Sequence, residues 1–135
     1  MSSVFIDVNI PMYAAGGDHP HKSPSVRFLR RVAEGAVEAV TDAEVFQELL
    51  HRYRAIGRLS DGLAVYDQFR RIVPVVLPVS IGAVDDARAL LGSAPNVGSR
   101  DAIHVAVMRR SRITRVASFD AGFDAIKGIR RIVPR

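Results

Sequence analysis

Residues 4–9 read VFIDVN, an apolar run that ends at a carboxylate. Val4, Phe5 and Ile6 have the composition of a short buried strand. The carboxylate of Asp7 is costly to remove from water unless a cation or hydrogen-bond donors meet it. The same order returns in RVASFD, residues 115–120, where Asp120 follows a second apolar run. Two predicted strand ends therefore carry an acid, and the fold decides whether these acids meet.

Short apolar runs alternate with stretches of helical spacing along the whole chain. This alternation predicts an α/β domain with a mainly parallel sheet that helices cover on both faces. In such sheets the ligand crevice lies outside the carboxyl ends of the strands, so Asp7 and Asp120 share one crevice if both strands are central. The alternative for each acid is that it caps the next helix. The predicted strands are 3–6, 37–40, 72–79, 115–118 and 130–133, and the predicted helices are 9–15, 23–34, 42–57, 60–71, 80–92 and 99–111.

The length of 135 residues predicts a single domain over residues 1–135. The chain has no cysteine, which excludes disulfides and thiolate metal sites. No apolar run approaches the roughly 20 residues of a membrane span, and no signal peptide is recognisable. We therefore expect a soluble cytoplasmic protein that makes no use of a membrane.

The charge balance is basic, with a formal net charge of +5 and a pI of about 10.4. Only Lys22 and Lys127 among the 19 cations are lysines. The planar arginine fork suits phosphate, so the excess indicates a polyanionic partner. The alternative is the codon usage of a GC-rich genome.

Two segments are candidates for contacts with such a partner. The run MRRSRITR (108–115) contains Arg109, Arg110 and Arg112, and a helix end that merely carries solvated cations is the alternative. The loop GGDHPHKSP (16–24) contains Lys22 between two histidines and a proline, which indicates a surface loop.

Two further acids lie on predicted helices. Glu48 falls on the border of the apolar face in TDAEVFQELLHRY, and its alternative is a solvated ion pair with Arg52 at i+4. Thr41 and Asp42 precede that helix and are predicted to cap it, and Gly57 is predicted to end it. Asp101 opens SRDAIHVAVMRR, an almost wholly apolar helix whose N-terminus favours negative charge. His104, one turn further, either bonds Asp101 or is a satisfied core histidine.

Four acids could thus face one crevice. Clustered carboxylates repel each other and raise one another's pKa unless a cation intervenes. A site made only of oxygen ligands suits a hard ion such as Mg²⁺ or Mn²⁺. The four candidates are Asp7, Glu48, Asp101 and Asp120.

These segments, taken in order, resemble the PIN domain, and within it the VapC toxin ribonucleases of VapBC toxin–antitoxin systems. VFIDVN resembles the opening strand of the family, VTDAEVFQELLHRY the second acidic segment, SRDAIHVAVMRR the third and ASFDAGFDAI the fourth. The resemblance implies a three-layer α/β/α sandwich and an Mg²⁺- or Mn²⁺-dependent endoribonuclease, the toxin of a type II system. It assigns catalysis and metal binding to Asp7, Glu48, Asp101 and Asp120, and supporting roles to Asn9 and Ser118. Asp124 is a possible fifth acid that contributes through water, and the alternative for Asp124 is helix capping or simple exposure.

The resemblance also implies partners. These are an RNA substrate, a cognate VapB-type antitoxin and a second copy of the chain in a homodimer. The basic side chains named above would then contact the RNA backbone. Apolar residues of the early helices either form a partner surface or belong to the core: Ile10, Met12, Tyr13, Phe28 and Leu29.

One position departs from the family pattern. Val8 stands where the family commonly has threonine or serine, and losing such a supporting hydroxyl costs roughly 10–100-fold in metal affinity or activity. This keeps open a non-catalytic or weakly catalytic RNA-binding or regulatory PIN protein. A phosphoacceptor signalling module is a third class. It would need an acidic pair after the first strand, where VFIDVN offers one acid.

Overall fold

The computed structural model describes residues 3–135, which form one five-stranded sheet and six α-helices. All strand pairings are parallel, in the order β3-β2-β1-β4-β5. A short 3₁₀ helix, Ala121–Ala125, precedes the last strand. The strands are β1 (Val4–Ile6), β2 (Ala39–Asp42), β3 (Val76–Leu77), β4 (Arg115–Ala117) and β5 (Arg130–Ile132). The helices are α1 (Asn9–Ala15), α2 (Lys22–Ala33), α3 (Ala43–Ala55), α4 (Leu59–Ile72), α5 (Ile81–Ser93) and α6 (Ser99–Arg110).

The strand order reverses at β1. The chain runs outward from β1 to β2 and β3, and then returns to place β4 on the other side of β1. The register pairs Val4 with Arg115 and Ile6 with Ala117, so β1 and β4 end at the same level. A crevice opens at such a topological switch point, beyond the carboxyl ends of the two strands. Asp7 and Ser118 are the first residues beyond those ends.

The predicted α/β sandwich is confirmed, and the mainly parallel sheet is wholly parallel over the described residues. The cap of α3 is also confirmed, because Asp42 accepts a hydrogen bond from the Val45 N–H at 3.0 Å. Gly57, with φ of +72°, follows the end of that helix as predicted.

Two predicted strands differ from those in the structure, because one is displaced along the chain and the other is too long. The second strand covers residues 39–42 rather than 37–40, and the third covers only Val76–Leu77 rather than 72–79. Helix α4 extends to Ile72, and Pro74 and Pro78 lack the N–H that a longer ladder requires. The third run has the apolar composition of a strand, but its prolines limit how far it pairs with β2.

The core surrounds β1. Phe5 and Ile6 are fully buried, and α6 is buried around most of its circumference, as its apolar sequence predicted. Ile10, Phe28 and Leu29 belong to the core, whereas Met12 and Tyr13 are only half-buried. The first three are thus core residues rather than a partner surface. Within residues 3–135, no helix has both the length and the apolarity to cross a membrane.

Candidate metal centre

Asp7 lies directly beyond β1 and is buried. Its Oδ1 accepts from the Val8 N–H at 2.8 Å, and its Oδ2 accepts from Ser118 Oγ at 2.7 Å and Asn9 Nδ2 at 3.3 Å. Burial raises the pKa of Asp7, although His104 and the hydrogen bond from Ser118 oppose that rise. The side chain does not cap α1. It is instead held in one orientation toward the crevice.

Ser118 and Asn9 connect the ends of β1 and β4. Ser118 Oγ accepts from Asn9 Nδ2 at 3.1 Å and from the Asp120 N–H at 2.9 Å. The Phe119 N–H donates to Asn9 Oδ1 at 3.4 Å. Val8 offers no hydroxyl, but Ser118 supplies one to Asp7 from the neighbouring strand end. Both predicted supporting residues therefore contact an acid of the crevice directly or through one another.

His104 lies between two buried acids. Its Nδ1 is 2.8 Å from Asp42 Oδ2, and its Nε2 is 3.0 Å from Glu48 Oε1. Asp7 Oδ1 is a more distant neighbour, 3.9 Å from Nε2. The imidazole is fully buried, so α6 is joined through it to the end of β2 and to α3. Of the two sequence interpretations, the satisfied core histidine is correct, and the partners are acids of other elements rather than Asp101.

The charge of His104 follows from this setting. Burial lowers the pKa of an imidazole, but here hydrogen bonds to Asp42 and Glu48, together with the negative charges of Asp42 and Asp7, raise it to about 10. The protonated ring donates from both nitrogens and has no lone pair for a metal. It acts as a buried cation that balances two carboxylates.

Glu48 is buried, which excludes the solvated ion pair as its main interaction. Its outer oxygen still lies 3.8 Å from Arg52 Nε and 3.9 Å from Arg100 Nη1. Arg100 also approaches Glu44 Oε1 at 3.7 Å. Two half-exposed guanidinium groups therefore border the crevice beside Glu48.

Asp101 and Asp120 form the more open side of the crevice. A Cβ on Gly122 would lie 3.1 Å from Asp120 Oδ1 and 3.9 Å from Asp101 Oδ2, so glycine leaves room for both carboxylates. Burial, with the negative charges of Asp7 and Asp120, raises the pKa of Asp101 to about 7. Asp120 is exposed and caps the 3₁₀ helix through the Gly122 N–H at 2.8 Å. We call Asp7, Glu48, Asp101 and Asp120 the acidic cluster. Asp120 thus both caps a helix and belongs to this cluster.

Asp124 has a different environment. Its two oxygens each lie 2.9 Å from a nitrogen of Arg131, and this pairing lowers the pKa of the carboxyl. A contribution to metal binding through water stays a prediction, and the ion pair with Arg131 competes with it.

The predicted RNA-contacting cations differ in how they are held. Arg110 forms an ion pair with Asp86 at 2.7 Å, and Arg109 donates to the Lys127 carbonyl at 2.9 Å. Lys22 donates to the Gly16 carbonyl. Arg112 is exposed and sits in the left-handed region, with φ of 58°. Their contact with RNA stays a prediction.

The acidic cluster has the donor set that a divalent cation requires. Ligand atoms of Asp7, Glu48 and His104 lie within 4.8 Å of one another. Since His104 donates to Asp42 and Glu48, the carboxylate oxygens remain the ligands, and they suit a hard ion. The raised pKa of Asp101 marks a place where negative charge lacks a cation. The residues present therefore fit a divalent metal.

Sequence reasoning missed Asp42 and the central position of His104. The prediction for Asp42 is only a helix cap, although Asp42 is the last residue of β2 and so lies at a strand end, as Asp7 does next to β1. Its Oδ1 makes the cap while Oδ2 meets His104. The sequence signal for Asp42 is a third acid at a strand end. Because β2 lies next to β1, this acid is brought beside the same crevice as Asp7.

Comparisons with known proteins agree with this fold and identify the family. The model of the family described as PIN domain matches residues 4–129. Ribonuclease VapC13 of Mycobacterium tuberculosis is 43% identical over 129 residues, which is 96% of this chain and 98% of the relative. Ribonuclease VapC23 of the same organism is 38% identical over 117 residues, covering 87% of this chain and 92% of the relative.

Solved structures share the fold. The crystal structure of Mycobacterium tuberculosis VapC20, a sarcin-ricin loop cleaving toxin, has a TM-score of 0.74 at 18% identity, covering 91% of this chain and 94% of that one. VapBC2 from Rickettsia felis, bound to a promoter DNA fragment, has a TM-score of 0.74 at 14% identity, covering 96% of each chain. The fold and the site together define an α/β domain with a parallel sheet and an acidic crevice at its switch point. The chain belongs to the PIN-domain family, in its VapC group.

Proposed function

We propose that the chain is a metal-dependent endoribonuclease that hydrolyses RNA phosphodiester bonds, the toxin of a type II toxin–antitoxin system. The observation that carries the proposal is the acidic crevice at the β1–β4 switch point, in a chain 43% identical to a protein named as a VapC ribonuclease. Basic side chains, including Arg52 and Arg100, border this crevice and suit the phosphates of an RNA strand.

The proposed cofactor is Mg²⁺ or Mn²⁺, held by oxygens of Asp7, Glu48, Asp101 and Asp120. A bound divalent ion would neutralise charge at the phosphate and lower the pKa of water. Asp7 is suited to hold the ion because three hydrogen-bond donors already fix the orientation of its carboxylate. Ser118 and Asn9 orient Asp7, and His104 holds Glu48 toward the same space. The deprotonated form of Asp101 would complete the set when a cation replaces its proton.

The proposed partners are an RNA substrate, a VapB-type antitoxin and a second copy of the chain in the cytoplasm. The antitoxin is supported by similar solved structures, among them VapBC2 from Rickettsia felis and a toxin–antitoxin complex from Klebsiella pneumoniae. The second candidate function is a weakly catalytic RNA-binding PIN protein. Val8, which supplies no hydroxyl beside Asp7, is the observation that favours it.

Cleavage of a mixed pool of structured RNA separates these functions. The purified chain is incubated with Mg²⁺, Mn²⁺ or EDTA, beside Asp7→Asn and the exposed-acid control Asp67→Asn. We expect metal-dependent cleavage with 5′-phosphate ends. Asp7→Asn should lose about 10³-fold in rate, because a metal contributes several kcal/mol to charge stabilisation. Asp67→Asn should cleave like the unmodified chain. Metal-independent cleavage, or full activity of Asp7→Asn, would contradict the proposal, and RNA binding without cleavage would favour the second candidate.

A further inference from the structure

Four aromatic rings from separate segments meet beside the acidic crevice. The His21 ring stacks on Phe119, with centroids 3.9 Å apart and planes at 8°. Tyr13 of α1 lies 4.5 Å from His19 and meets Phe119 edge-on at 5.5 Å. His19 and His21 are 4.8 Å apart. We call Tyr13, His19, His21 and Phe119 the ring cluster.

The ring cluster is continuous with the acidic crevice. Phe119 lies between Ser118, which holds Asp7, and Asp120, which belongs to the acidic cluster. The Phe119 N–H donates to Asn9 Oδ1, and Asn9 in turn contacts Asp7. The aromatic ring of Phe119 is therefore next in sequence to residues of the acidic crevice, where a phosphodiester would bind.

The loop before α2 holds the histidine rings in place. The His21 N–H donates to His19 Nδ1 at 3.0 Å, and the Lys22 N–H donates to the His19 carbonyl at 3.0 Å. The Lys22 ammonium donates to the Gly16 carbonyl at the start of the loop. Because Nδ1 of His19 accepts a hydrogen bond, its ring proton lies on Nε2, which can donate to a ligand.

The ring cluster is partly open to solvent. His19 is exposed, and Tyr13, His21 and Phe119 are half-buried. Rings that only filled the core would be covered and apolar, whereas half of these rings are imidazoles with polar edges. Partly exposed aromatic rings combined with edge donors are the chemistry that recognises an unpaired nucleobase.

We infer that the ring cluster is a subsite for an unpaired nucleobase next to the phosphodiester held at the acids. The inference rests on the proposed function and deepens it, because it names the residues of this chain that would contact a base beside the cleaved bond. Bases of a continuous duplex are stacked and paired within the helix and cannot reach such rings. The subsite thus favours a hairpin loop over a fully paired stem.

Binding, measured without cleavage, tests this subsite. In the Asp7→Asn chain we would compare His19→Ala and Phe119→Leu with His51→Ala, an exposed histidine of α3 outside the ring cluster. One probe is a fluorescein-labelled RNA hairpin with a randomised seven-nucleotide loop. The other is a blunt RNA duplex of equal length. Fluorescence anisotropy at several salt concentrations gives the affinity and its salt dependence, and thermal melting verifies folding. His19 is exposed, so its variant keeps the test valid if Phe119→Leu melts early.

Both ring variants should bind the hairpin about 5- to 100-fold more weakly, the effect of losing one stacking partner. Their affinity for the duplex should not change, and Phe119→Leu should keep the salt slope because no phosphate contact is lost. His51→Ala should bind like its parent. Unchanged hairpin affinity in the ring variants, or equal losses on hairpin and duplex, would overturn the subsite while leaving the nuclease proposal intact. A parent chain that binds neither RNA would overturn the proposed function, and the subsite with it.

Discussion

The two sides of the acidic crevice are stabilised in different ways. On the buried side, His104 donates to Asp42 and Glu48 across distances of 2.8 and 3.0 Å, so negative charge is balanced inside the protein. On the open side, Asp101 and Asp120 lie close together, and the pKa of Asp101 rises to about 7. The protein therefore supplies its own cation to the buried side, and we propose that the open side binds a cation from solution. Asp7 Oδ1 lies 3.9 Å from His104 Nε2 on the buried side, and the negative charge of Asp7 helps to raise the pKa of Asp101 on the open side.

This difference predicts that the acids on the buried side stabilise the fold and that the acids on the open side bind a ligand. Changes on the buried side should lower stability in the absence of metal, because they expose uncompensated charge. Changes on the open side should raise stability without metal and lower metal affinity.

The largest effect on stability is expected for His104→Leu. Removing the buried cation leaves Asp42 and Glu48 unbalanced, and breaking a buried pair in this way costs about 3–5 kcal/mol in the free energy of unfolding. Urea denaturation in EDTA measures this loss. Adding Asp42→Asn to the variant should recover part of it. The matched control is His51→Leu, an exposed position where a change within about 0.5 kcal/mol is expected. Equal stabilities of the two leucine variants would refute the role of His104.

Ser118→Ala should have the next largest effect. It removes the hydroxyl that donates to Asp7 Oδ2 at 2.7 Å and accepts from the Asp120 N–H. Loss of such an orienting group lowers metal affinity or cleavage rate by about 10–100-fold. Ser93→Ala, whose hydroxyl bonds only the Leu90 carbonyl on the surface, should change neither. If Ser118→Ala keeps full metal affinity and rate, Ser118 does not replace the hydroxyl that Val8 lacks.

Stability in EDTA should fall as pH rises. Asp101 has its folded pKa raised from 3.8 to about 7, so folding favours its protonated form and stability declines between pH 4 and 7. His104 has its pKa raised from 6.5 to about 10, so its stabilisation is complete below pH 6.5 and is lost toward pH 10. Melting temperatures across this range should show both declines. Asp101→Asn should make the lower decline shallower and leave the upper one unchanged, and the raised pKa of Asp7 accounts for the part that remains. A lower decline that stays as steep would show that Asp101 does not contribute to it.

The smallest effect is expected at the basic surface. Arg112→Ala should weaken RNA binding several-fold for every sequence and reduce the salt slope by about one. Arg110→Ala should do less, because the Arg110 guanidinium is already paired with Asp86 at 2.7 Å. Anisotropy titrations with one RNA at several salt concentrations compare the two. A larger loss of RNA affinity for Arg110→Ala than for Arg112→Ala would show that Arg110 is the stronger RNA contact.

Much of the fold was predictable because its signals are local. The alternation of apolar runs and helical spacing predicted the parallel sheet, and Asp42 and Gly57 marked the ends of α3 correctly. The third strand was overestimated because its composition is strand-like while Pro74 and Pro78 prevent regular pairing.

The site was predictable as a set of acids but not as an arrangement. The four acids could be chosen from strand ends and helix borders, and their metal role remains a proposal. The contact of His104 with Asp42 joins residues 62 positions apart. It depends on the order of β2 and β1 in the sheet, which no local pattern states. The ring cluster has the same character, because Tyr13 and Phe119 meet only through the β1–β4 pairing.

The most direct test of this account is Mn²⁺ binding measured by isothermal titration calorimetry at pH 8. The unmodified chain, Asp101→Asn and Asp124→Asn are compared after identical purification in EDTA and dialysis. We predict that the unmodified chain and Asp124→Asn bind Mn²⁺ alike, because the Asp124 carboxylate is engaged by Arg131. Asp101→Asn should bind at least about tenfold more weakly, as expected for the loss of one charged ligand. No Mn²⁺ binding by the unmodified chain, or equal binding by Asp101→Asn, would contradict the claim that the open side of the crevice holds a divalent cation.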